Sequence, residues 1–133
     1  MARILVVEDE PALREFLRRA LTKRGDNVAI AGHGGEAMLK LRDGRYDLML
    51  TDIAMPEMDG IELALKAAQD FPAVRLLLMT GYTDEKRRAE ALEHLVNKVL
   101  MKPFSMTELF AAIDAAMDKP MAEAAPGQGA RSA

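Results

Sequence analysis

Five short apolar runs, each followed by a segment whose apolar residues recur at helical spacing, constrain this chain more than any other feature. Residues 4–7, 28–31, 48–51, 74–79 and 99–101 form the runs, and the first is a continuous aliphatic and β-branched stretch that suits a strand buried on both faces. After it, Leu13, Phe16, Leu17, Ala20 and Leu21 share one helical stripe, with Pro11 suited to the first turn and Gly25 to the stop. Ala37, Met38 and Leu41 make a second stripe, and Ile61, Ala64, Leu65 and Ala68 a third. The fourth, Ala89 and Leu92, is thin, and Thr83 is placed to cap it; Leu109, Phe110, Ile113 and Met117 form the fifth behind a Ser105-to-Glu108 capping box. Strands alternating with helices predict a parallel sheet covered on both faces. At this length the expected fold is α/β: a flavodoxin-like (βα)5 three-layer sandwich with strand order 2-1-3-4-5. The second strand then lies at an edge, and the run 74–79, the most apolar, is expected to be central.

With 133 residues, half of them hydrophobic, the chain suits one domain with a real core. A formal net charge of -3 without a basic run argues against a nucleic-acid partner. The absence of cysteine excludes disulfides, thiolate metal sites and a thiol nucleophile. No apolar run approaches the roughly 20 residues of a membrane span, and the opening runs into Glu8 and Asp9 too soon for a signal peptide. A cytoplasmic protein is expected, with a domain over residues 1–119 and a disordered Ala/Gly/Pro-rich tail over 120–133.

The chemistry concentrates where the runs end. The third run delivers Asp52, followed by Met55-Pro56 and Asp59-Gly60. Alone, Asp52 reads as a solubilising acid or a turn former. Three other runs, however, also end on polar groups: Glu8 and Asp9, Thr80, and Lys102. In open α/β sheets ligands bind at the carboxyl ends of the strands, so this order brings Asp9 and Asp52 together across the switch point. Paired carboxylates held ionised call for a cation, and oxygen-only ligation favours Mg²⁺. A lysine and a hydroxyl opposite suit the oxygens of a phosphoryl group, and a nucleophilic aspartate can take that group as an acyl phosphate.

Four segments, Ile4 through Glu10, Leu50 through Gly60, Met79-Thr80-Gly81 and Met101 through Phe104, together resemble the receiver domain of bacterial two-component response regulators. The resemblance implies that Asp52 is the phosphoacceptor. Asp9 would be a direct Mg²⁺ ligand, with Glu8 behind it outside the direct ligands and the Ala54 backbone carbonyl completing the site. Thr80 would bond the phosphoryl group through its hydroxyl, Lys102 would pair with it, and Lys102-Pro103 would be cis. Ala54 and Tyr82 would border access to the phosphoryl group, with the Tyr82 ring as a cover. A histidine kinase or histidine phosphotransfer protein would dock on Ala12, Leu13, Phe16, Pro103 and Phe104.

The chain departs from many receivers at two places: Val99 stands where an aromatic is usual, and Leu95-Val96 replaces Gly-Ala. In both the Thr51-to-Leu63 segment and the missing aromatic it is similar to the single-domain, CpdR-like type. The implied role is a stand-alone receiver in a phosphorelay, acting on an unknown protein partner by contact or serving as a phosphate sink. It would not be an enzyme beyond catalysing its own phosphorylation and slow dephosphorylation. Two other readings stay open: an isolated receiver segment of a hybrid histidine kinase, and a flavodoxin-like binding module that is never phosphorylated. The starting Met and the tail favour a whole protein over the former. The remaining singled-out residues read as ordinary: the methionines as core filler, His33 and His94 as surface polar groups, Glu57 and Asp59 as solvated loop acids, and Arg87 and Arg88 as a solvated helix face.

Overall fold

The inner apolar runs form strands whose side chains are covered from both sides, and the edge runs are only partly covered. In the computed structural model, which describes residues 2–92 and 98–118, the strands are β1 (Arg3–Val7), β2 (Asn27–Ala31), β3 (Leu48–Asp52), β4 (Arg75–Thr80) and β5 (Lys98–Met101). They pair in parallel in the order β2-β1-β3-β4-β5. The helices that follow them are α1 (Pro11–Arg24), α2 (Gly34–Asp43), α3 (Gly60–Asp70), α4 (Thr83–Glu90) and α5 (Met106–Asp118). This is the expected three-layer sandwich. The tail, His94 and Leu95-Val96 lie outside the described residues.

Side chains alternate between the two faces of a strand. Ile4, Val6, Leu48, Leu50, Leu77 and Met79 pack with Leu17 and Leu21 of α1 and with Leu109 and Ile113 of α5. Leu5, Val7, Met49, Leu76 and Leu78 pack on the other face with α2, α3 and Ala89 of α4. Every residue of β3, the middle strand, is buried, and each such large aliphatic side chain contributes roughly 2 kcal/mol. The run expected to be central, β4, lies inside the sheet between β3 and β5 and starts at Arg75, after Val74, which spends its N–H on the Phe71 carbonyl.

The helix ends follow the sequence signals with one exception. Glu10 accepts from the Leu13 N–H ahead of Pro11, and Gly25 closes α1 at φ 109°, a conformation that favours glycine. Ser105 and Glu108 form the reciprocal capping box, at 2.8 and 3.0 Å. His33 is more than a surface group, since its Nδ1 caps α2 by accepting from the Glu36 N–H. The exception is α4, where Thr83 is the first helical residue and not the cap. Tyr82 occupies the cap position without a side-chain bond, and its N–H goes instead to the Thr80 hydroxyl at 3.1 Å.

Candidate functional site

Register fixes the site. Val7 of β1 lies opposite Thr51 of β3, so Glu8 and Asp52 leave the sheet side by side, with Asp9 one residue further out. Asp52 in turn faces Met79, and Thr80 faces Met101, which puts Thr80 and Lys102 at the next steps along the same edge. Glu8, Asp52 and Thr80 are buried, and Asp9 is exposed.

Lys102 binds the acids together: its Nζ lies 3.2 Å from Asp52 Oδ1 and 3.3 Å from Glu8 Oε1. The second oxygen of Glu8 accepts the Glu10 N–H at 3.1 Å. Burial and the Asp52 charge still push Glu8 up to about 7, against the opposing pull of the Glu10 N–H and Lys102. Burial also raises Asp52; Lys102 opposes that, and Asp9 adds to it. Burial works against the Lys102 charge, but Asp52 and Glu8 outweigh it and hold the ammonium above its usual value. One lysine therefore does not neutralise the cluster. Glu8, Asp9 and Asp52 each present an oxygen within 4.8 Å of the others, a donor set that fits a hard divalent cation.

The loop beyond Asp52 is held by close contacts. The Gly60 N–H donates to the Ile53 carbonyl at 2.8 Å, and a Cβ on Gly60 would fall 2.1 Å from the Asp52 carbonyl oxygen. Only glycine allows the chain to return that near to the acid. Within the loop, Met58 N–H donates to the Pro56 carbonyl at 2.8 Å across Glu57, whose φ is 71°. This is a γ-turn with a positive-φ centre, a rare and strained form. Asp59 is not simply solvated: it caps α3 through the Glu62 N–H at 2.9 Å and pairs with Arg88 at 3.4 Å.

Ala54 is exposed two residues beyond Asp52, and the Lys102-Pro103 bond is cis. Tyr82, the residue expected to cover the phosphoryl group, is 63% exposed. Leu13 and Phe104 both pack at the margin of the α1–α5 core, while Ala12 and Pro103 are exposed. Phe16 is half exposed, so its place on the helical stripe does not make it core. Val99 is buried in one cluster with Ala89, and Leu92 packs against it.

Two features of the site are not legible in the motifs. Gly60 reads as a turn residue but is required by the approach to Asp52. Glu85, in the first turn of α4, accepts a hydrogen bond from the Thr80 hydroxyl at 2.5 Å. Its position in an acidic first turn looks like ordinary dipole matching.

The family model described as the response regulator receiver domain matches residues 4–114, the span that carries all four strand-end groups. The chain belongs to this receiver family. A curated relative, the response regulator receiver protein CpdR of Brucella abortus (strain 2308), is 39% identical over 114 residues; the match covers 86% of this chain and 95% of CpdR. The response regulator MprA of Mycolicibacterium vanbaalenii is 32% identical over 96% of this chain, but the receiver spans only 55% of MprA's length. Among solved structures, TrrA of Thermotoga maritima, crystallised with Mg(2+)-BeF, matches with a TM-score of 0.77 and 33% identity over 86% of this chain and 97% of TrrA. Among the described residues of this receiver, no helix is long and apolar enough to cross a membrane.

Proposed function

We propose that this receiver takes a phosphoryl group on Asp52 from a histidine kinase or histidine phosphotransfer protein, with Mg²⁺ held by Asp9, Asp52 and the Ala54 backbone carbonyl. The observation that carries this reading is Lys102 bridging Asp52 and Glu8 beside a third acid, Asp9. An Asp52 carboxylate oxygen attacks phosphorus, the P–N bond of the phosphohistidine breaks, and the imidazole leaves with its electron pair. Lys102 follows the charge from the carboxylate to the phosphoryl oxygens, and the Thr80 hydroxyl donates to one of them. Glu8 stays behind, holding Lys102 through its buried carboxylate. Bound Mg²⁺ supplies charge neutralisation for acids and phosphoryl oxygens that would otherwise repel. The TrrA complex, in which Mg(2+)-BeF is bound, supports this assignment.

Ala12, Leu13, Phe16, Pro103 and Phe104 form the docking patch for the phosphodonor, supported by the exposure of Ala12, Phe16 and Pro103. Catalysis is limited to the chain's own phosphorylation and slow dephosphorylation. The 95% coverage of CpdR supports action as a single receiver, signalling by contact with a downstream protein or serving as a phosphate sink.

The test is intact-mass analysis after incubation with acetyl phosphate or phosphoramidate. A single phosphoryl adduct should form with Mg²⁺, disappear with EDTA and be absent from Asp52→Asn. Persistent labelling of Asp52→Asn would move the acceptor elsewhere.

A further inference from the structure

Thr80 is fully buried at the end of β4, and strand alternation turns it away from the Met79 face toward α4. Its hydroxyl donates to Glu85 Oε1 at 2.5 Å while accepting the Tyr82 N–H at 3.1 Å. A threonine hydroxyl has one proton. In this state that proton is already committed, in a short bond to a carboxylate.

The other ties of α4 to the site are weak. Its cap residue Tyr82 makes no side-chain bond, and Ala89 is its buried residue. Arg88 reaches Asp59 only at 3.4 Å and with both side chains well exposed, a kind of pair worth little. The Thr80–Glu85 bond is therefore the firmest polar link between the first turn of α4 and the strand end.

Resting on the phosphoacceptor reading above, we propose that Glu85 is a positioning residue that competes with the phosphoryl group for the Thr80 proton. The hydroxyl can bond a phosphoryl oxygen only by releasing Glu85. Glu85 thus opposes the phosphorylated state by the free energy of that bond, and phosphorylation detaches the first turn of α4 from β4. The sites are joined by one proton with two acceptors, so whatever holds Glu85 away from Thr80 favours phosphorylation by the same amount.

The experiment is calorimetric titration of the whole chain with beryllofluoride in the presence of Mg²⁺, and separately with Mg²⁺ alone. Wild type, Glu85→Ala and Glu85→Gln are compared with Thr80 present and with Thr80→Ala. Glu85→Ala should bind beryllofluoride about tenfold more tightly than wild type. Glu85→Gln, which keeps an acceptor but loses the charge, should show a smaller gain. Mg²⁺ affinity should be the same throughout, and Thr80→Ala should erase the differences among the Glu85 variants. Amide exchange in the first turn of α4 should rise when beryllofluoride binds to wild type.

Unchanged or weaker binding by Glu85→Ala overturns the proposal. An equal gain in the Thr80→Ala background also overturns it, since removal of a repelling charge would then suffice. Wild type that binds no beryllofluoride would instead overturn the phosphoacceptor reading, and this one with it.

Discussion

The Lys102 ammonium lies 3.2 Å from a carboxylate oxygen of Asp52, within reach of both that acid and Glu8, yet it leaves the acid cluster short of positive charge. That imbalance has a consequence for stability. Burial lifts Glu8 to about 7 and also raises Asp52, so the native state binds more protons than the unfolded chain and stability falls as pH rises. For Glu8 the stabilisation is complete below its ordinary 4.5 and is lost as pH climbs through about 7. Lys102, held above its usual value, keeps its contribution across that window. The melting temperature of the metal-free protein should therefore drop by roughly 5 °C between pH 5 and 8. Millimolar Mg²⁺ or Glu8→Gln should flatten the profile, and a flat profile in the metal-free wild type would contradict the charge imbalance.

Gly60→Ala should be severe. The added methyl would sit 2.1 Å from the Asp52 carbonyl oxygen, a backbone atom that cannot swing aside. A loss of about 3 kcal/mol is expected from urea denaturation, together with slower labelling by small donors. Wild-type stability would show that the loop relaxes and that the close return is not required.

Leu13→Arg should separate docking from chemistry. Leu13 sits at the rim of the α1–α5 core beside half-exposed Phe16. Phosphotransfer from a histidine kinase that labels wild type should fall about tenfold, while labelling by acetyl phosphate continues. Parallel loss of both would show damage to the fold in place of a docking defect.

Tyr82 is well exposed, so the proposed role in access requires its ring to fold over the phosphoryl group. Gly81 leaves open space around its own backbone for such a movement. The acyl phosphate of Tyr82→Ala should then decay about tenfold faster, equivalent to roughly 1.4 kcal/mol in the barrier. An unchanged decay would assign the ring to the contact surface.

Much of this molecule is determined by local sequence. The apolar runs are strands because β-branched and aliphatic residues buried on both faces leave no other period, and the strand order follows from five such units. Asp9, Asp52, Thr80 and Lys102 are legible as a site because parallel strands deliver their carboxyl ends to one edge. Tertiary structure decided what those residues touch. Whether Phe16 is core depends on how α1 lies on the sheet, since its spacing fits the buried stripe equally well. The need for glycine at position 60 arises only when the loop folds back on Asp52. Above all, the Thr80 hydroxyl ties two elements together: no local pattern shows that a first-turn acid five residues downstream reaches back to hold its proton. Local propensity acts within a few residues, whereas hydrogen-bond partners and burial are settled only once separate elements pack together.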